Sequence, residues 1–121
     1  MKILVTGGAG FIGSHLVDVL LASGARVRVL DNLSTGKPDN LPHKHASLEF
    51  VRGDIRDRKT VMDCVSEMDV VVHLAAVASV QASIDDPIGT HQVNFDGTLN
   101  LLEAARHAGI GRFLYACSAA V

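Results

Sequence analysis

The sequence predicts an α/β fold in which a parallel sheet carries helices on both faces. Three observations predict it. Short runs of β-branched residues alternate without a break with segments of helical periodicity. The first run, Ile3-Leu4-Val5, leads directly into Thr6-Gly7-Gly8-Ala9-Gly10-Phe11-Ile12-Gly13, a glycine-rich turn between a strand and a helix. An acidic residue, Asp31, closes the second run about twenty residues further on. Glycines at such a turn let the backbone approach a pyrophosphate, and the next helix offers N–H donors and a favourable dipole. They fit two frames: Gly8-x-Gly10-x-x-Gly13, the general dinucleotide fingerprint, and Gly7-x-x-Gly10-x-x-Gly13, a spacing variant of it.

Each element follows from local signals. Strand one is Lys2–Thr6. The first helix runs from Phe11 to Ser23 with Ile12, Leu16 and Leu20 on one face, and Gly24 stops it. Arg26–Leu30 alternates polar and apolar residues as strand two. Residues 32–47, with their Asn, Ser, Thr, Gly and Pro, read as a loop holding one short helix. Leu48–Arg52 is strand three and ends at Gly53-Asp54. Asp57 caps a helix bearing Val61, Met62 and Val65. Asp69–Leu74 is strand four, and its continuous valine run marks a strand buried on both faces. Asp86-Pro87 supplies an N-cap followed by proline at the first helical position. The long helix beyond it is expected to bury Phe95, Leu99 and Leu102 and to stop at Gly109. Arg112–Ala116 is strand five. Right-handed crossovers wound both ways from strand one give the order 3-2-1-4-5, a Rossmann-type doubly wound sheet with its crevice at the carboxyl ends where the order reverses.

Composition narrows the function. A chain of 121 residues is one domain, and 48% apolar residues make it compact rather than disordered. The net charge is −2 with the basic residues scattered, so neither nucleic acid nor an acidic membrane surface is an expected partner. No apolar run reaches the length of a membrane span, and the stretch after Met1-Lys2 is broken at Gly7, too early for a secretory signal. Cys64 and Cys117 read as small core residues, and a reducing cytoplasm is the expected compartment. The six histidines show no metal-ligand spacing, so no metal site is expected.

Four positions carry candidate chemistry. Asp31, at the carboxyl end of strand two, can accept hydrogen bonds from ribose hydroxyls and repel a 2′-phosphate, which favours NAD over NADP; it also suits the start of a turn. Asp54 can meet the exocyclic amine of an adenine or serve as a turn aspartate. His73, inside strand four, reads as a packed or hydrogen-bonded core histidine. Leu74-Ala75-Ala76 leaves room for a flat ring or a ribose against the backbone.

Taken together, Thr6–Leu16 (TGGAGFIGSHL), Asp31-Asn32-Leu33, Gly53-Asp54-Ile55, His73–Ala76 (HLAA), Ser83 with Asp86-Pro87, Val93-Asn94 with Gly97-Thr98, and Cys117–Val121 (CSAAV) run in order from end to end. In these motifs the chain resembles the N-terminal part of an extended short-chain dehydrogenase/reductase of the NAD-dependent sugar epimerase/dehydratase family, above all its UDP-glucose 4-epimerase branch. The resemblance implies that Gly7, Gly10, Phe11, Ile12 and Gly13 hold the pyrophosphate. It places Asp31 and Asn32 on the adenosine ribose, with Ser34 and Gly36 also at the cofactor, Asp54 and Ile55 on the adenine, and Leu74, Ala75 and Ala76 along the dinucleotide. Asn94 would brace strands four and five near the cofactor, and Ser118 matches the Ser/Thr whose hydroxyl bonds the reacting sugar oxygen.

The family's Tyr-x-x-x-Lys pair is expected beyond Val121, since Tyr115 lies inside strand five with no lysine four residues later. The implied reaction is a transient hydride transfer between sugar C4 and NAD, with that tyrosine moving the proton of the 4-hydroxyl. Residues 1–121 are therefore expected to be an incomplete NAD-binding domain of a nucleotide-sugar epimerase or dehydratase, cut after strand five and inactive alone. The uncovered edge of strand five would favour a homo-oligomer or self-association. The alternative is a non-catalytic NAD-binding or sensing module that acts through a partner chain.

Overall fold

A computed structural model describes residues 1–117. Strands β1 (Lys2–Thr6), β2 (Arg26–Asp31), β3 (Leu48–Arg52), β4 (Val70–His73) and β5 (Arg112–Tyr115) form one parallel sheet in the order β3-β2-β1-β4-β5. Thr6 lies opposite Leu30 on one side and His73 on the other, so the carboxyl ends of the three central strands finish level. The expected topology is therefore present. The order reverses at β1, and the crevice opens there.

Alternation along β1 splits the core into two halves. Ile3 and Val5 face helix α1 (Phe11–Ala22) and pack with Val17, Leu21, Val27 and Val29. Leu4 faces the other side, where α2 (Arg58–Val65) and α5 (Thr98–Ala108) bring Val61, Val65 and Leu101 against Leu30 and Val71. Leu101 is fully buried, so Leu101→Ala is expected to destabilise the fold by roughly 2–5 kcal/mol in urea unfolding, the transfer cost plus a cavity. Arg28, opposite Leu4 in register, does not pack as a hydrophobe: its guanidinium donates to the carbonyls of Cys64 (2.8 Å) and Ser66 (3.2 Å) and pairs with Glu49, closing the carboxyl end of α2.

Local chemistry explains the ends. The Asp57 carboxylate accepts from the amides of Lys59 and Thr60 at the start of α2, and Asp86 does the same for Gly89 in α4 (Pro87–His91). Gly109, at φ +70°, terminates α5 in the left-handed region where a side chain is disfavoured. A short helix not anticipated from the sequence, α3 (Val80–Asp85), precedes α4, capped by Ser79.

Several expected helix faces are rotated. Ile12 is 72% exposed because it projects past the carboxyl ends of the strands, where no sheet lies beneath it; Gly13, Val17 and Leu21 form the buried stripe instead. Met62 is exposed while Cys64 is buried beside Val61 and Val65. Phe95, Leu99 and Leu102, expected in the core, are 58%, 47% and 45% exposed. A π-helical turn over Gln92–Gly97 joins α4 to α5. Phe95, Leu99 and Leu102 do share one face, but it lies towards Phe113 and Tyr115 of the edge strand β5, where no further described element covers it, while Leu101, Ala104 and Ala105 face the sheet. Cys117 is also exposed, since it lies beyond the last residue of an edge strand with no element over it.

Candidate functional site

The glycine turn is built from three positions that do different things. Gly7 adopts φ +70°, donates its N–H to the Leu30 carbonyl at 2.9 Å, and faces Ala75 so closely that a Cβ would lie 2.8 Å from the Ala75 nitrogen. A Cβ on Gly13 would fall onto the Gly7 carbonyl and within 2.7 Å of Gly8 Cα. These two glycines let the turn pack on itself and on the segment after β4. Gly10 is different: its only near neighbour would be the Gly7 oxygen at 3.3 Å, and the rest is open. Among the described residues no side chain caps this end of α1, and Phe11 and Ile12 are 79% and 72% exposed. The result is a helix N-terminus with bare backbone donors and clear space above Gly10, the geometry a pyrophosphate requires.

Asp31 stands beside it, 8% exposed. Its Oδ2 accepts the Ala9 N–H at 3.0 Å and its Oδ1 accepts the Leu33 N–H at 2.8 Å. The Ala9 carbonyl in turn accepts from the Lys37 amide (3.1 Å) and from Asn40 Nδ2 (2.9 Å). The Ala9 peptide is thus held from both sides by the loop after β2. Gly36 fits behind it, where a Cβ would come within 3.0 Å of Asp31 Oδ2 and of Ala9.

Beside Asn32, just after the end of β3, Asp54 is gripped by Arg56, whose Nε and terminal nitrogen donate at 3.0 and 2.7 Å, and Asn32 Nδ2 reaches it at 3.4 Å. The Arg56 hydrogen bond is the main cause that holds the Asp54 carboxyl down at about 2, against a partial desolvation that pulls the other way. Asn100 of α5 donates to the Ile55 carbonyl at 3.0 Å and fixes that turn.

One cleft at the carboxyl ends of β1, β2 and β4 gathers most of the residues singled out in the sequence. Gly7, Asp31, Asn32 and Ser34 line it from the ends of β1 and β2. Asp54 and Ile55 line it from the turn after β3, and Leu74, Ala75 and Ala76 from the segment after β4. Gly10, Phe11, Ile12 and Gly13 belong to the adjoining helix start, and Gly36 lies behind the turn rather than along the cleft. Asn94 holds the wall after β4: its Oδ1 accepts the Val77 N–H at 2.8 Å and its Nδ2 donates to the Val77 carbonyl at 3.0 Å, and among the described residues its side chain makes no bond to β5. Ser118 lies outside the described residues. Thr6, Asn40, Arg56 and Thr98 were not anticipated; the threonine that ends β1 just before the glycines is the one local signal that could have raised Thr6.

His73 is a core histidine as expected, 2% exposed and bonded through both ring nitrogens to threonine hydroxyls. Burial lowers its pKa from 6.5 to about 4. Below pH 6.5 the unfolded chain takes up a proton that the folded chain refuses, so this residue makes stability fall as pH drops from 6.5 towards 4. A Tm series over that range is expected to show the slope, reduced in His73→Gln. Among the described residues, no cluster of His, Cys, Asp or Glu could hold a metal, and no helix is long and apolar enough to cross a membrane.

Comparison with known proteins gives a consistent set. The model of the NAD dependent epimerase/dehydratase family matches residues 3–121. The UDP-glucose 4-epimerase of Mycolicibacterium smegmatis is 47% identical over 121 residues, covering 98% of this chain and 39% of that protein. The CDP-paratose 2-epimerase of Salmonella typhi is 46% identical over 112 residues, covering 88% of this chain and 33% of that protein. Among solved structures, the UDP-glucose 4-epimerase of Thermus thermophilus in complex with NAD superposes with a TM-score of 0.86 at 50% identity, covering 93% of this chain and 36% of that one. The chain spans well under half the length of the relatives it matches.

Proposed function

Because the chain belongs to the NAD dependent epimerase/dehydratase family, we propose that residues 1–121 are an NAD-binding portion that serves a nucleotide-sugar epimerase of the UDP-glucose 4-epimerase kind. The observation that carries the reading is the open helix start above Gly10 set directly beside the buried carboxylate of Asp31. The backbone donors of Phe11, Ile12 and Gly13 are placed for the pyrophosphate, and the free lone pairs of Asp31 for the adenosine ribose. The wall Leu74–Ala76 offers a flat, small-residue surface to the rest of the dinucleotide, and Asp54 with Ile55 closes the adenine end. NAD, when bound, supplies a reversible hydride acceptor. A relative acting on a different nucleotide sugar at a different carbon, the CDP-paratose 2-epimerase, shares this portion nearly as closely. That supports a shared cofactor role here, with sugar choice made by other residues.

Ser118 is assigned to the reacting sugar oxygen. The general acid/base and the sugar pocket are assigned to a segment with the family's Tyr-x-x-x-Lys, so a polypeptide of residues 1–121 alone is expected to bind NAD without epimerising UDP-glucose. Calorimetric titration of NAD, paired with UDP-galactose formation by the full-length protein, tests the reading. Failure to bind NAD overturns it. Binding with no conversion of any nucleotide sugar by the full-length protein would favour a cofactor-sensing module instead.

In the described residues β5 pairs only with β4, and Leu114 and Tyr115 are 54% and 56% exposed. A 121-residue polypeptide is therefore expected to associate as its concentration rises in sedimentation velocity. A monomer throughout, with β5 amides protected from hydrogen exchange, would refute this.

A further inference from the structure

The two hydroxyls that meet His73 fix which of its nitrogens carries the proton. Thr6 Oγ1 accepts the Ala75 amide at 3.1 Å and shares the Leu74 amide, also at 3.1 Å, with the Thr6 backbone carbonyl. With both amides directed at this oxygen, its own proton is best used on His73 Nδ1, 2.6 Å away. At the other end, Thr98 spends its proton on the Asn94 carbonyl at 2.7 Å and can only accept from His73 Nε2 at 2.8 Å. The Thr98 inventory selects a neutral imidazole protonated on Nε2, and the contacts of Thr6 agree with it. An imidazolium would place a second N–H against Thr6 Oγ1, at which the Leu74 and Ala75 amides already point.

This ring controls both ends of one wall of the crevice. Through Thr6 it orients the oxygen that holds the Leu74 and Ala75 amides, and Ala75 is the residue against which Gly7 packs. Through Thr98 it meets the π-helical turn, where Asn94 grips Val77 by both its N–H and its carbonyl. The segment Leu74–Val77 is tied at one end to Thr6 of β1 and at the other to Asn94 of the π-helical turn, and His73 bonds Thr6 directly and reaches Asn94 through Thr98.

We propose that His73 is a positioning residue for the dinucleotide: as the Nε2-protonated tautomer it sets the directions of the Thr6 and Thr98 hydroxyls and so keeps the Leu74–Val77 wall in register with the glycine turn. The inference rests on the proposed assignment of this crevice to NAD.

The test uses the full-length protein. His73→Leu fills the space but supplies neither an acceptor for Thr6 nor a donor for Thr98, and NAD affinity is expected to fall at least about tenfold. His73→Gln retains a donor at the Nε2 position with an adjacent acceptor and is expected to recover most of the loss, a rescue that filling space alone does not give. Thr98→Val, which removes only the Nε2 acceptor, is expected to weaken NAD in the same direction and keeps the test open if His73→Leu does not fold. Nitrogen-15 NMR of the wild-type ring is expected to show the proton on Nε2 at neutral pH. A Nδ1-protonated or tautomer-averaged ring overturns the inference, as does equal NAD affinity in wild type, His73→Gln and Thr98→Val. Absence of NAD binding in the wild type would instead sink the cofactor assignment, while leaving the tautomer measurement to stand on its own.

Discussion

Gly10→Val is expected to abolish NAD binding while leaving the fold intact. The backbone at Gly10, φ −74° and ψ 178°, is extended and open to any residue, and a Cβ there would approach only the Gly7 carbonyl, at 3.3 Å. The branched side chain would then occupy the space over the helix N-terminus and displace the pyrophosphate. A loss of at least about a hundredfold, roughly 2.7 kcal/mol, is expected by calorimetry, with an unchanged circular dichroism spectrum. Gly13→Val is the contrasting case. Its Cβ would overlap the Gly7 carbonyl, so that variant is expected to lose thermal stability as well as binding. If Gly10→Val binds NAD like the wild type, the phosphate site lies elsewhere.

Asp31→Ala is expected to cost more than cofactor selectivity. In the wild type the carboxylate is expected to disfavour a 2′-phosphate by like-charge repulsion in a partly desolvated site, so that NAD binds at least about tenfold more tightly than NADP. Were that the only role, removing it would turn the protein towards NADP. The structure adds a second role, because Asp31 also satisfies the Ala9 and Leu33 amides. An amide left without a partner in a buried site costs on the order of 1–3 kcal/mol. The Ala9 peptide would then be held only from its carbonyl side, by Lys37 and Asn40. NAD affinity is expected to drop at least about tenfold, with NADP never reaching the wild-type affinity for NAD. An Asp31→Ala protein that binds NADP as tightly as the wild type binds NAD would show that the latch contributes nothing to the turn.

Much of the site was legible before any coordinates. Gly7, Gly10, Gly13 and Asp31 occupy the turn and the strand end where their spacing put them, and the five strands pair in the expected order. The helix faces were less legible. Phe95, Leu99 and Leu102 share a face, as 3.6 residues per turn predicts, but periodicity does not say which face meets the sheet, and theirs lies towards Phe113 and Tyr115 of the edge strand. Nor does periodicity say how far a helix overhangs the sheet, which is why Ile12 points to solvent.

The sequence by itself determined the alternation of strands and helices, the winding from β1 and the position of the dinucleotide turn. Those follow from residue types acting on their immediate neighbours: β-branched runs, a glycine triplet, Asp57 and Asp86 as caps. Only the tertiary structure decided what each polar group does. Ala9 meets Asp31 across 22 positions and Asn40 across 31, and Thr6 meets His73 across 67. Such pairings are made by strands brought level in the sheet, and donors and acceptors can be counted only once their partners are fixed in space. That is why Asp31 could be read from the chain as a candidate ribose ligand but not as the acceptor that holds the Ala9 and Leu33 amides, and His73 as a buried histidine but not as one bonded to Thr6 and Thr98.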